Sequence, residues 1–332
     1  MTLGLNGVLP FDVESSCMRR ILVLLNPAAG NRRSAVAAVR DVAAHRSMRV
    51  ELVVPDASDQ ARQLDEARAA VDEGVDAVLV HGGDGALSGA INLVAGRPVP
   101  LGIVPAGTGN DFARAAGIDR SRPRAVLDGL LTALEDDSPE VVEADALVAT
   151  VRRPGHEDRQ HWVANSVNIG FDAKVNQRAN GLRTTPRSLR YLVALAQEVP
   201  QFEGIAFGHS VDGSARQEQR LALICVQNGP FIGGGIALAP HARIDDGRMS
   251  VSFVEAIAKP GLVALFPLLM LRRHKWLKPL STREAESISI DVPAGVPVFA
   301  DGDELAAATD SGCSVEIEVR PRAFRLLQAQ SS

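Results

Sequence analysis

Along the first 143 residues, short wholly apolar runs alternate with segments of helical periodicity. Ile21–Leu25 is apolar at every position, which predicts a strand covered on both faces, and Asn26-Pro27-Ala28-Ala29-Gly30 breaks it. An Ala/Val-rich stretch predicts a helix to about His45, followed by a strand over Val50–Val54. From Gln60 to Glu73, Leu64, Ala67 and Val71 recur at helical spacing, with Gly74 where a C-terminal cap belongs. Ala77–Val80 and Leu101–Val104 are two further apolar strands. Alternating strands and helices with fully apolar strands predict an open, parallel α/β sheet. Such sheets bind ligands beyond the carboxyl ends of their strands.

The pattern changes near Glu143. Ala146–Val151, Trp162–Ile169, Leu221–Val226, Met249–Val254, Ile288–Val292 and Val315–Val319 read as strands. Most of their connections are too short for crossover helices, which predicts antiparallel hairpins and a β-sandwich. Helical stretches are expected near Ser188–Glu198 and Pro260–Arg273, and the polar segment Arg152–Gln160 is expected to form a hairpin tip. The expected division is an α/β domain over 18–143 and a β-sandwich domain over 144–319.

Composition narrows the function classes. With 35 Lys+Arg against 40 Asp+Glu the net charge is −5, a poor match to the basic face that nucleic acid requires. A hydrophobic share of 46% excludes a disordered tail. Cys17, Cys225 and Cys313 are far apart and form no CxxC pair, which argues against a disulfide framework and for a reducing, cytoplasmic setting. Residues 1–11 lack the basic start of a secretory signal. The longest apolar run, Leu262–Leu271, contains Pro267 and falls short of the ~20 residues of a membrane span.

Three loops carry the candidate chemistry. His81-Gly82-Gly83-Asp84-Gly85 follows the third strand and opens a helix. Its glycines let backbone N–H groups approach an anion, and the helix N-terminus adds its positive end. Pro105-Ala106-Gly107-Thr108-Gly109-Asn110-Asp111-Phe112 follows the fourth strand, and Asn26–Gly30 follows the first. Together they describe a glycine-lined cleft suited to a nucleoside triphosphate. Neither a GxxxxGK[ST] loop nor a complete dinucleotide fingerprint is present.

With these loops in order, the chain resembles the diacylglycerol kinase catalytic family, in the bacterial lipid-kinase branch related to sphingosine and ceramide kinases. The matching residues are Asn26-Pro27 with Gly30, Gly82–Gly85, and Pro105 with Gly107–Arg114. Further matches are Asn168–Asp172, Asn228-Gly229-Pro230 with Gly233–Gly235, Pro240 with Ala242, Asp245-Asp246-Gly247, and Asp301-Gly302. The resemblance implies an N-terminal nucleotide domain, a C-terminal sandwich that holds lipid, and a last segment, 320–332, that returns to the first domain. It implies ATP-dependent phosphorylation of a lipid hydroxyl, with diacylglycerol the leading acceptor. Gly82, Gly83, Asp84, Gly85, Gly107, Thr108, Gly109, Asn110 and Asn26 would bind nucleotide, and Asp84 would act on the metal–phosphate network. The family's Asp-Gly-Glu motif reads Asp301-Gly302-Asp303 here, which makes Asp303 the candidate general base. A family Mg²⁺ site carries over as the Asp246 carboxylate with main-chain oxygens of Arg243 and Arg248. On the residues alone, that loop reads as a plain Asp-Gly turn.

Two departures stand out. Gly85 is followed by Ala86-Leu87-Ser88-Gly89 where the family has Thr-Leu-Asn-Glu, and Asp303 is one methylene shorter than Glu. Losing one hydrogen bond to a charged phosphate costs about 1.5–3 kcal/mol. A nucleotide-binding, membrane-associated regulator with little kinase activity therefore stays as an alternative. So do sphingoid base, ceramide and phosphatidylglycerol as acceptors, and an NAD kinase, which shares the GGDG loop. A homodimer is compatible with all of these.

Between Asp172 and Glu198 there is no acid, while Lys174, Arg178, Arg183, Arg187 and Arg190 are basic; Arg272–Lys278 forms a second basic cluster around Trp276. Both suit peripheral contact with the anionic inner face of a membrane, at ~1 kcal/mol per cation, or equally helices that snorkel their charges into water. His81 is expected to pack in the core, His241 to sit in a surface turn, and Cys225 to behave as a small hydrophobe.

Overall fold

The computed structural model describes residues 18–25, 32–44, 49–54, 60–182, 184, 190–201, 203–256, 280–307 and 311–330. Four parallel strands, β1 (Met18–Leu25), β2 (Arg49–Val53), β3 (Ala77–Gly82) and β4 (Leu101–Pro105), lie in the order β2-β1-β3-β4. The apolar run of β1 is explained by its two covers. Ile21, Val23 and Leu25 pack under α1 (Arg32–Ala44) and α5 (Pro123–Ala133), while Leu22 and Leu24 face α2 (Gln60–Glu73) and α3 (Asp84–Val94). A two-sided strand has no solvent face on which to place polar residues. The short α4 (Asp111–Ala115) follows β4 and buries Phe112 in the same core as α3.

The C-terminal half is antiparallel. The strand β5 (Val141–Arg152) forms a hairpin with β6 (Arg159–Val163), its tip falling in the polar segment expected to turn. Beyond it are β7 (Ser166–Gly170), α6 (Phe171–Gly181), α7 (Arg190–Glu198), β8 (Ile205–Val211), β9 (Gln217–Gln227) and β10 (Met249–Glu255). The chain continues through β11 (Leu280–Ala285), β12 (Ser287–Val292), β13 (Val298–Ala300), β14 (Asp303–Ala306) and β15 (Cys313–Leu327). The N-terminal half of β9 pairs with β8, which leads through β12 and β15 to β5. Its C-terminal half lies between β7 and β10. Alternate residues of these strands, among them Val167, Ile169, Ile224, Val226, Val251, Ile290 and Ile317, fill one sandwich core.

At its far end β15 joins the two halves. Leu326 pairs in parallel with Leu101 of β4, and Phe324 stacks on Phe112 with ring centroids 5.9 Å apart. Ala144, Ala146 and Ala323 enter the same α/β core.

The expected α/β-plus-sandwich class is the observed one, with corrections in detail. Trp162–Ile169, expected as one strand, is two, β6 and β7, broken at Ala164-Asn165. The cause is tertiary: backbone N–H groups of Ala164, Asn165 and Ser166 turn away from the ladder to the Asp301 carboxylate. The expected helix over Ser188–Glu198 is α7, whereas the periodicity does not predict α4, α5, α6, β8, β11, β13 or β14. Several of these are short or rich in polar residues, such as Asp303-Glu304-Leu305-Ala306, and carry little pattern. The expected helix over Pro260–Arg273 and the cluster Arg272–Lys278 lie outside the described residues. No helix among the described residues is long and apolar enough to cross a membrane.

Candidate active site

The glycine loop 82–85 and the loop 105–111 emerge side by side because β3 and β4 are adjacent parallel strands with Gly82 opposite Pro105. They touch backbone to backbone. A Cβ built on Gly107 would lie 2.5 Å from Gly83 Cα, so no side chain fits between them. Asn110 closes the second loop on itself in a left-handed conformation, φ 50°. Its Oδ1 accepts from Gly107 N–H at 3.1 Å and its Nδ2 donates to Gly107 O at 2.8 Å. Asparagine is among the few non-glycine residues that enter this region readily. Gly85 differs from Gly83, Gly107 and Gly109: it lies in the first turn of α3, and nothing stands within 4 Å of its Cβ position. Glycine costs ~1 kcal/mol against alanine in a helix, so protein packing gives no reason for it there. Open space at the N-terminus of a helix leaves room for an anion to approach.

Asp84 cross-links the loops. Its Oδ1 accepts from the N–H of Asp111 at 2.8 Å and of Phe112 at 3.4 Å, serving as an N-terminal cap for α4 supplied from outside the helix. Its Oδ2 would lie 2.8 Å from a Cβ on Gly109. Burial raises the Asp84 carboxyl above its ordinary value, against the lowering effect of those N–H bonds.

A third loop closes on these two. Asp111 Oδ2 accepts from Gly234 N–H at 2.8 Å, and Arg114 lies over the Phe231 ring at 5.4 Å. Burial also raises the Asp111 carboxyl, and Asp84 beside it adds to the effect. The loop 228–235 is seated from below by Asn228, which donates to the carbonyls of Asp145 at 2.8 Å and Ala164 at 2.9 Å.

Asp301, at the β13–β14 turn, is the most strongly perturbed carboxyl of the site. Its two oxygens take the N–H groups of Ala164, Asn165 and Ser166 at 2.7, 3.0 and 2.9 Å. Burial nonetheless pushes its pKa up to about 7, and the charge of Asp84 contributes. The β13–β14 turn thus lies within electrostatic range of the glycine loop. Asp303 opens β14 two residues further on, opposite Ala300; its side chain reaches the surface, and protein crowding one side raises its carboxyl.

Asp245-Asp246-Gly247 forms a separate group. Asp246 Oδ1 accepts from Arg248 N–H at 2.9 Å, and Asp245 pairs with Arg243 at 3.0 Å. Beneath them is Asp145, buried in β5, whose oxygens take Gly247 N–H at 2.7 Å and Arg322 N–H at 2.8 Å. Burial raises the Asp145 carboxyl, and the charges of Asp246 and Asp245 raise it further. Both Asp145 oxygens and Asp245 are thus already engaged, and among the described residues no group of three or more His, Cys, Asp or Glu side chains is placed to hold a metal ion.

Of the expected site residues, Gly82, Gly83, Asp84, Gly85, Gly107, Gly109 and Asn110 form one constellation, with Thr108 exposed at its rim. Asn26 lies outside the described residues. Asp246, Arg243 and Arg248 form the second group. The buried anchors Asp145, Asn228 and Asp301 are not among the site residues that the sequence suggests. Asn228 and Asp301 do fall in motifs shared with the family, and Asp145 leaves a trace as a lone carboxylate inside the apolar run Ala144–Ala149. His81 is half-buried at the end of β3 and its pKa is lowered by burial, His241 is an exposed turn residue, and Cys225 is fully buried in β9.

Comparison with known proteins decides the lineage. The Diacylglycerol kinase catalytic domain matches residues 20–138, and the YegS C-terminal NAD kinase beta sandwich-like domain matches residues 165–328. A protein of Mycobacterium tuberculosis named Diacylglycerol kinase is 34% identical over 315 residues, 93% of this chain and 95% of its own length. The chain belongs to the diacylglycerol kinase family. A Probable lipid kinase YegS-like of Stenotrophomonas maltophilia is 30% identical over 79% of this chain and 82% of its own. The fold of the kinase matches a putative diacylglycerol kinase from Bacillus anthracis str. Sterne at a TM-score of 0.69, with 19% identity, 96% of this chain and 98% of that chain. It also matches yeast NADH kinase, at 0.57 and 10% identity over 95% of this chain and 84% of that one. The kinase is therefore a lipid kinase of an ATP-using family, as the names of these two sequence relatives indicate.

Proposed function

We propose that the kinase phosphorylates the free hydroxyl of diacylglycerol to give phosphatidic acid. The observation that carries this reading is the 34% identity to a Diacylglycerol kinase over nearly the whole of both chains. The backbone N–H groups of loops 82–85 and 107–110 hold the nucleotide phosphates, and Gly85 leaves room for them. Asp84 keeps the two loops in register. Asp303 takes the proton of the acceptor hydroxyl as the oxygen attacks the terminal phosphorus, a role favoured by a carboxyl raised above its ordinary range.

A Mg²⁺ site is carried over to this loop, where Asp246 would hold the cation together with the main-chain oxygens of Arg243 and Arg248, beside the carboxylates of Asp145 and Asp245. When bound, the cation offsets the mutual repulsion of these carboxylates. In this reading residues 18–143 together with 320–332 form the nucleotide domain, supported by the Leu326–Leu101 pairing, and 144–319 form the lipid domain. In the same reading the kinase meets its substrate at the inner face of the membrane, with Lys174 of α6 a candidate contact for anionic lipid.

The test is transfer of radiolabel from ATP to diacylglycerol, sphingoid base, ceramide and phosphatidylglycerol, with the product identified by mass spectrometry. Labelled phosphatidic acid that disappears in Asp84→Asn and Asp303→Asn is expected. ATP binding without product on any of the four lipids would favour the regulator and overturn the proposal.

A further inference from the structure

The sheet face opposite the sandwich core has a polarity gradient that the core does not. Register places Asn168 of β7 opposite Cys225 of β9, Cys225 opposite Ser252 of β10, and Ser252 opposite Thr282 of β11. Residues so paired share a face, and their neighbours Val167, Ile224, Val226, Val251 and Phe253 all point into the core. Asn168, Cys225 and Ser252 are nonetheless buried, at 8%, 0% and 0% exposure. The charge of Asp172, in the first turn of α6, raises the Cys225 thiol beyond the effect of burial, so that turn lies over this row.

One step along the strands toward the glycine loops, the row is again polar: Ser166, Gln227 and Ser250, with Ser166 N–H bonded to Asp301. One step the other way it is apolar: Leu223, Val254 and Leu280, packed with Phe171, Val175 and Ala194 of the overlying helices. Polarity thus falls with distance from Asp301, as it does along a lipid from its headgroup to its chains.

Among these polar side chains, two amide oxygens are unsatisfied, Gln227 Oε1 and Asn168 Oδ1, and only the Asn168 amide lies in the row next to the apolar one. Its Oδ1 has no hydrogen-bond partner among the described residues, and its Nδ2 has only Ser166 Oγ at 3.4 Å. A serine hydroxyl both donates and accepts, so the Asn168 amide can present either end without loss. A buried amide with a free end costs stability unless something polar meets it. Toward the sheet edge the row continues through the buried Phe299. Phe299 pairs with Asn168 on one side and Glu304 on the other, and Glu304 receives Gln177 Nε2 at 3.1 Å. Gln177 lines a cavity of about 510 Å³ with Lys174, Arg178 and Leu182.

We propose that Asn168 forms the subsite for the ester-bearing glycerol backbone of the acceptor, its amide donating to an ester carbonyl. The row of Leu223, Val254 and Leu280 then takes the first carbons of an acyl chain. This inference rests on the reading that diacylglycerol is the acceptor.

The experiment compares 1,2-dioleoylglycerol with its dialkyl ether analogue in mixed micelles, for the full chain and for Asn168→Leu and Asn168→Ala. The ether lacks the carbonyls but keeps the hydroxyl and the chain length. One neutral hydrogen bond corresponds to roughly threefold to tenfold in kcat/KM in favour of the ester. Both variants are expected to abolish that preference while the KM for ATP stays unchanged. Two variants of different size guard against one that fails to fold, which a thermal melt detects. An ester preference that survives in a folded variant, or none in the native chain, overturns the inference while leaving diacylglycerol as the acceptor. A native chain that phosphorylates neither lipid overturns the acceptor reading first, and this inference with it.

Discussion

Asp301 allows a stability prediction with a definite sign. Its carboxyl is held among three backbone N–H groups yet titrates at about 7, because burial outweighs those bonds and Asp84 adds repulsion. In the unfolded chain an aspartate titrates at about 3.9. Below the lower value both states carry the proton and Asp301 contributes no pH dependence. Between about 4 and 7 only the folded state holds it, so unfolding releases a proton and stability falls as pH rises. Above about 7 the loss is complete. An elevation of about three pH units corresponds to about 4 kcal/mol, at a limiting slope of about 1.4 kcal/mol per pH unit. Asp301→Asn removes the titration. Asparagine keeps one oxygen for Asn165 and Ser166, leaves Ala164 N–H facing an NH₂ group, and so adds a destabilisation of about 1–3 kcal/mol that does not vary with pH. Urea unfolding of both proteins from pH 4 to 8 gives the comparison. The difference between them should move steadily in favour of the asparagine variant as pH rises to 7, then level off. Parallel stability curves would refute the argument that burial dominates this carboxyl.

Gly85→Ala meets open space and should stabilise α3 by about 1 kcal/mol while raising the KM for ATP; Gly107→Ala, whose Cβ would lie 2.5 Å from Gly83 Cα, should lose both stability, by about 1–3 kcal/mol, and activity. Thermal melts and ATP titrations separate the two, and a Gly85→Ala variant with unchanged ATP kinetics would remove the phosphate cradle from this loop. Because burial raises the Asp303 carboxyl, the acid limb of kcat should lie above the ordinary carboxylate range, activity increasing with pH as Asp303 loses its proton. A pH–rate profile tests this, and an acid limb at or below about 4 would exclude Asp303 as the base. Saturating Mg²⁺ should raise the melting temperature, by the equivalent of about 2.7 kcal/mol at a hundred times Kd, and Asp246→Asn should abolish the shift.

Much of the α/β half can be read directly from the chain. The strand at Ile21–Leu25 and the helix at Gln60–Glu73 appear where their patterns place them, because burial on two faces or one imposes a period that composition carries openly. The glycine loops are equally plain, since adjacent strand ends confine such sequences to a crevice. The sandwich is legible as a class but not strand by strand. Trp162–Ile169 is apolar enough for one strand, and only a carboxylate 137 residues away from Ala164 breaks it in two.

Period, turn chemistry and the choice of loops that carry chemistry are local matters, and the chain settles them unaided. Which distant groups share a dielectric and a hydrogen bond is settled only in three dimensions. Asp84 bonded to α4, Asp145 binding Gly247 and Arg322, Asp301 titrating near 7, and Asn168 with an unmet amide end are all of this second kind. The physical reason is the same in each case. Desolvation and hydrogen bonding depend on what surrounds an atom in space, and residues from 27 to 177 positions apart become neighbours only when the sheet has formed.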